Sequence, residues 1–163
     1  MKKLFLSMAI VLGFAFSSYG QDISKNSLGL RFGSNDGFGA EISYQRGLSN
    51  NNRLEVDLGW RNNNHTSSYK LVGTYQWVWN IEGGFNWYAG VGAGLGAWNY
   101  DHQGVKNNGS FGLVAGQLGI EYNFSEAPIQ LSLDIRPELY FGGDKWNDGF
   151  GPDIALGIRY RFN

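Results

Sequence analysis

Arg53-Leu54-Glu55-Val56-Asp57-Leu58-Gly59-Trp60-Arg61 is the stretch that decides how this chain is read. Leu54, Val56, Leu58 and Trp60 fall on one side of a two-residue period, with Arg53, Glu55, Asp57, Gly59 and Arg61 on the other. A helix would scatter these residues around its axis, whereas an extended strand sorts them into one apolar and one charged face. The same period runs outward in both directions. Upstream, Leu28, Leu30 and Phe32 alternate with Gly29, Arg31 and Gly33, and Phe38 to Arg46 sets Ala40, Ile42 and Tyr44 against Glu41, Ser43 and Gln45.

Downstream, the strand expected from Tyr69 to about Trp79 carries Leu71, Gly73, Tyr75, Trp77 and Trp79 against Lys70, Thr74 and Gln76. Val72 and Val78 fall on that second face and weaken its alternation. Phe85 to Trp98, Phe111 to Phe124, Ile129 to Phe141 and Asp153 to Phe162 complete eight strands, with Pro137 expected to break a ladder unless a bulge absorbs it. Asn62–Ser68, Asn99–Ser110 and Gly142–Pro152 read as long polar loops, and the remaining connections as tight or compact turns. A sequential, even series of strands forms an antiparallel meander that closes on itself and so removes both sheet edges.

The N-terminus reads differently. Lys2 and Lys3 precede an apolar run from Leu4 to Phe16, then the small residues Ser18 and Gly20. This is the layout of a cleaved secretory signal peptide, and the run is shorter than the ~20 residues of a spanning helix. Residues 1–20 are therefore expected to be removed, leaving residues 21–163 as one barrel domain with a net charge of −3. The chain has no Cys, which excludes a disulfide scaffold, a thiolate metal site and a lipidated cysteine. A formal charge of −1 over 163 residues lacks the basic footprint of a nucleic-acid binder.

Alternation alone does not say which face is outside. A soluble secreted barrel binding a hydrophobic ligand would turn the apolar face inward, and a transmembrane barrel does the reverse. The apolar face carries a single charge in phase, Arg46, at a strand end. Its aromatics gather near strand ends: Tyr44, Trp77, Trp79, Phe85, Trp87, Tyr122, Tyr160 and Phe162 at one, Phe38, Trp60, Tyr69 and Phe141 at the other. Such belts sit at lipid headgroups; Tyr75, counted along its strand, falls outside them. The opposite face balances Glu41, Glu55, Asp57, Glu121, Asp134, Glu138 and Asp153 against Arg31, Arg53, Arg61, Lys70, Arg136, Arg159 and Arg161. Parity suits a narrow lumen, because enclosed charges are tolerable only when paired. Gly90, Gly92, Gly94 and Gly96 on that face read either as space for large neighbours such as Arg or Tyr or as marks of strong coiling.

The leader, the eight alternating strands and the ending Gly157-Ile158-Arg159-Tyr160-Arg161-Phe162 resemble the small outer-membrane barrels of Gram-negative bacteria, the OmpA/OmpX-like superfamily, and within it the barrel-only members of Bacteroidetes-type bacteria. The resemblance implies an all-β, eight-stranded antiparallel up-and-down transmembrane β-barrel in the cell outer membrane. It also implies Tyr160 and Phe162 as the signal read by the outer-membrane insertion machinery; Asn163 after the Phe departs from the commonest form. The implied surroundings are outer-membrane lipid and lipopolysaccharide, with the chain a monomer. No counterpart of the peptidoglycan-binding domain of larger members is expected.

Chemistry is sparse. His65 and His102 lack the ligand spacing of a zinc site, and Asp144, Asp148 and Asp153 lack that of a calcium loop. Ser67, His65, Asp101 and His102 show no converging spacing for a lipid-acting enzyme. No catalytic residue, cofactor or metal is expected. The lumen charges fit either a locked electrostatic core or a gated ion path in which Arg136 or Arg159 swaps partners. Trp98, Tyr100, Trp146 and Phe150, amid Asn and Gly, are candidates for binding a glycan or protein ligand, or for folding loops onto the rim. The expected role is therefore structural or surface-interacting, with a small ion or solute channel as the alternative.

Overall fold

The structure, a computed structural model, describes residues 23–34, 38–63, 66–102, 105–142 and 150–163; at several strand tips only the backbone is described. The expected signal peptide lies outside the described residues.

Eight strands follow one another: β1 (Asn26–Ser34), β2 (Phe38–Gly47), β3 (Asn52–Asn63), β4 (Thr66–Glu82), β5 (Phe85–His102), β6 (Val105–Asn123), β7 (Ile129–Phe141) and β8 (Phe150–Phe162). Each pairs antiparallel with the next, and β8 pairs with β1, closing the barrel. Followed once around the circumference from Leu28, the register passes Tyr44, Val56, Gly73, Ala93, Val114 and Leu139 to Phe150, whereas Leu28 itself pairs with Tyr160. The strands are thus staggered by ten residues per turn, the tilt that lets a twisted sheet close on a lumen just wide enough for side chains.

The apolar face points outward on every strand. Leu28, Leu58, Leu95, Leu118, Leu133 and Leu156 are exposed, while Arg31, Glu55, Arg136 and Glu138 have no exposed surface. In water this arrangement would be upside down. In hydrocarbon it is the stable one, since every strand bonds to two neighbours and no edge remains. Trp79 and Trp87 stack at 4.3 Å and Phe85 lies 4.5 Å from Tyr122 at the end where β1 starts, β8 stops and the tight turns lie. Tyr75 joins this band. The stagger sets it opposite Leu54, near the start of β3, with its ring 5.0 Å from Trp77.

Two expected loops are strand instead. Pairing continues through Asn63↔Thr66 in the β3–β4 hairpin and through Asn99↔Asn108 to His102↔Val105 in the β5–β6 hairpin. A spanning strand needs only about 9–11 residues, so β4, β5 and β6, with 17, 18 and 19, project beyond the membrane on the side away from the termini. There both faces meet water, so the apolar period vanishes while the backbone ladder persists. The third long loop falls mostly outside the described residues.

Pro137 produces no bulge. The β6–β7 register is the same on either side of it, but the ladder skips the pairs of Gly116 and Gln117. Phe124 N–H donates to the Ile129 carbonyl; counting along the ladder makes Gly116 the bonded partner of Pro137, which has no N–H to give it. On its other side Pro137 faces Pro152 across a non-bonded pair, so the β7–β8 ladder is intact.

The candidate functional site: a lumen filled by charge

The inward-pointing side chains form two connected layers. In the upper layer, nearer the projecting hairpins, two guanidinium groups act as hubs. Arg31 on β1 donates from Nη1 to Glu41 Oε2 at 2.9 Å and Asp153 Oδ2 at 2.7 Å, and from Nη2 and Nε to Asp134. Arg136 on β7 donates to Asp57 Oδ2 at 2.7 Å, to Glu41 Oε1 at 2.8 Å, to Glu138 Oε1 at 2.8 Å and to Asp153 Oδ2 at 3.4 Å. Lys70 on β4 donates to Glu138 at 2.8 Å and pairs with Glu41 at 3.2 Å; Tyr140 also donates to Glu138. Bonds from β7 to β3 and from β4 to β7 cross the barrel axis.

The lower layer is built of single pairs cushioned by amides. Arg159 meets Glu55 at 2.9 Å and is held by Ser43 and Ser132. Glu55 also accepts from Gln45 and from Gln117, which itself accepts from Gln76 at 2.8 Å. Arg53 pairs with Glu121 at 2.7 Å and donates to Gln76, and Asn86 donates to Glu121 at 3.1 Å. Tyr88 joins the layers: its hydroxyl donates to Asp134 at 3.2 Å while Arg53 lies 4.8 Å above its ring. Its own ring needs Gly119, where a Cβ would come within 2.5 Å of it.

The expected lumen charges divide between the two layers. Arg31, Glu41, Asp57, Lys70, Asp134, Arg136, Glu138 and Asp153 meet in the upper layer, and Arg53, Glu55, Glu121 and Arg159 in the lower. Arg61 lies at the upper mouth, 3.9 Å from Asp153. Arg161 is outside the network altogether. It donates to the Phe124 and Ala127 carbonyls, fastening the β6–β7 turn, because one more step along β8 carries it past the lumen to the rim. Arg46, in phase with the apolar face, reaches Asn26 at 2.6 Å at the barrel end.

Several lumen residues carry no charge and so fall outside the expected charge set, although the two-residue period puts them on the same face: Gln45, Gln76, Gln117, Asn86 and Tyr88. Val72 and Val78, which blur the period of β4, are wholly buried inside; Val72 packs with Leu113 and Ala115 against Phe111 and Tyr140. The glycines of β5 make room for these residues and not for Arg or Tyr across the lumen: Gly94 lies against Val72 and Leu113, Gly96 against Phe111, and Gly90 and Gly92 against Thr74. The close approach of β4 backbone to the same glycines reflects coiling of the sheet.

Of the loop candidates, Trp98 is buried against Gly109 on the inner wall of the projecting hairpin, and Tyr100 is half-buried near it. Trp146 and His65 lie outside the described residues, and Phe150 and His102 have only their backbone described. Tyr160 and Phe162 are exposed on the outer face at the end of β8, with ring centroids 6.5 Å apart. Among the described residues no group of three or more His, Asp or Glu is placed to hold a metal.

No protein-family model matches the chain, and no curated protein does. Solved structures do. The N-terminal β-barrel domain of Pseudomonas aeruginosa OprF superposes with a TM-score of 0.72 at 13% identity, over 88% of this chain and 100% of that one. Outer membrane protein H (OprH) of P. aeruginosa gives 0.68 at 16%, over 85% and 100%. Neisserial surface protein A gives 0.66 at 15%, over 84% and 94%. At these identities what is shared is the architecture, and it is shared along nearly the whole of each counterpart. The chain has the fold of the eight-stranded outer-membrane β-barrels.

Proposed function

We propose that this protein is a sealed barrel of the Gram-negative outer membrane, with a structural and surface-interacting role and no catalytic one. The observation that carries this reading is the pair of hubs, Arg31 and Arg136, each with no exposed surface and each bonded to carboxylates from several strands. Ion pairs that cross the axis leave no continuous water path, and opening one would strand buried charge at a cost of about 3–5 kcal/mol. The barrel is exported by its N-terminal leader, inserted by the outer-membrane machinery through the Tyr160 and Phe162 ending, and surrounded as a monomer by lipid and lipopolysaccharide. Its projecting hairpins carry Asn62, Ser67, Asn99, Asn107 and Asn108, a nearly uncharged polar surface suited to contact with glycans or proteins outside the cell.

Planar-bilayer recording of the purified mature chain tests the seal. No discrete openings are expected at moderate voltage; stepwise conductance from the wild type would replace this reading with that of a small ion channel. Fractionation tests the location, the expected result being recovery with the outer membrane and a different gel mobility with and without boiling.

A further inference from the structure

Arg46, the cation in phase with the apolar outer wall, has no carboxylate beside it. Its polar contact among the described residues is to an amide: Nη1 donates to Asn26 Oδ1 at 2.6 Å, and the Tyr44 hydroxyl donates to the same oxygen at 2.8 Å. Asn26 is only 9% exposed, whereas Arg46 is exposed. A flexible surface side chain is thus pinned to a nearly buried acceptor. What remains is a set of donors, Nε and Nη2 of Arg46 and Nδ2 of Asn26, none with a partner among the described residues. The Nε and Nη2 edge of a guanidinium matches two oxygens of a phosphate or carboxylate.

The strand register fixes the level of these donors. From β8 to β4 it runs through Phe162, Asn26, Arg46, Leu54 and Tyr75, which sets Arg46 within the aromatic band at the end where β1 starts and β8 stops. Side chains in such a band meet lipid headgroups. The exposed Lys25 accepts from Gly47 N–H through its carbonyl, so a second positive residue lies one step beyond Arg46. Arg161, by contrast, is committed to the turn carbonyls of Phe124 and Ala127. Toward mid-membrane the wall continues from Tyr44 through Leu28, Leu30, Ile42, Val56 and Leu58. A donor set at headgroup level above an aliphatic track fits an anion that carries hydrocarbon chains; a soluble anion would gain nothing from the track.

We propose that Arg46 and Asn26 bind the phosphate of an anionic phospholipid in the leaflet at this end of the barrel. Two phosphate oxygens take Nε and Nη2 of Arg46, Asn26 Nδ2 donates to the same group, and the acyl chains lie over Leu28, Ile42 and Val56. The inference deepens the outer-membrane reading and rests on it for the outward facing of the wall. The two fail differently: a chain that stays soluble without detergent sinks both, whereas a heat-modifiable barrel with no lipid selectivity sinks this site alone.

Native mass spectrometry of the refolded mature chain, released from detergent with added phosphatidylglycerol, tests the proposal. Phosphatidylethanolamine with the same acyl chains, lipopolysaccharide and inorganic phosphate are the comparisons. A single phosphatidylglycerol should stay bound, at a concentration about fivefold or more below that needed for phosphatidylethanolamine, with no phosphate adduct. R46Q should abolish the preference while keeping the gel mobility of a folded barrel. R46K, which keeps the charge and loses the fork, should retain part of it, and N26A should weaken binding although the charge is intact. Equal retention of the two phospholipids, or unchanged phosphatidylglycerol retention in R46Q, overturns the proposal. So does unchanged retention in N26A, which would reduce the site to a lone surface charge. Phosphate binding as well as the lipid would mean a simple anion site, and lipopolysaccharide displacing phosphatidylglycerol from Arg46 would mean the wrong lipid; each also overturns it.

Discussion

The two halves of the lumen solve the same problem in different ways. In the upper half Glu41 accepts from Arg31 through Oε2 and from Arg136 through both oxygens while pairing with Lys70, and Asp153 Oδ2 is shared by Arg31 and Arg136. In the lower half each acid has one cation, and its remaining lone pairs are taken by Gln45, Gln117 and Asn86. Charges removed from water need both a counter-ion and full hydrogen bonding. Sharing supplies this with few side chains but ties many groups to one hub; amide cushioning spends more side chains and keeps each pair independent. The upper half should therefore fail cooperatively and the lower half piece by piece.

The largest effect is expected from Arg136→Met, which leaves four carboxylates short of a partner. A loss of at least about 3–5 kcal/mol, read by urea unfolding in lipid vesicles, would bear out the hub, and a smaller one would break the contrast. Next, Arg31 and Arg136 should be strongly coupled: a double-mutant cycle is expected to give an interaction energy of about 1–3 kcal/mol, whereas Arg136 with Arg53 should be close to additive. In the lower half, Arg159→Met should cost less than Arg136→Met, and adding Glu55→Leu should recover part of the loss, because it removes the unpaired carboxylate and leaves only the neutral donors Gln45 and Gln117 short of an acceptor. Gln117→Leu should cost about 1–3 kcal/mol by leaving Gln76 and Glu55 each short of a bond. The smallest change, within about 0.5 kcal/mol, is expected for Arg161→Ala at the rim.

What the sequence reveals follows from where solvent changes. Within the membrane each strand passes between hydrocarbon and a charged lumen, and that contrast writes the two-residue period so plainly that strand number, order and facing are legible from Arg53–Arg61 outward. Above the membrane both faces of β5 and β6 are wet, so Asn99, Asn107 and Asn108 look like loop although their backbones are paired. Within the lumen, charge marked Arg31 and Arg136 but not which acids they share, because the ten-residue stagger decides which levels meet. Val72 and Leu113 show the remaining gap. An apolar residue in the inward phase looks like noise in the pattern until the wall of β4–β6 proves to be the uncharged side of the lumen.

Accessibility of spin labels across the wall tests the central claim most directly, and a chain with no native Cys allows them to be placed one at a time. With the mature protein in vesicles, nitroxides at Leu58, Leu118 and Leu133 should be relaxed strongly by oxygen and hardly by a water-soluble nickel chelate, as lipid-facing sites are. Labels at these three positions that were shielded from both reagents, on a chain that stayed in solution without detergent, would mean that the leucines form a closed interior and that the charges face water.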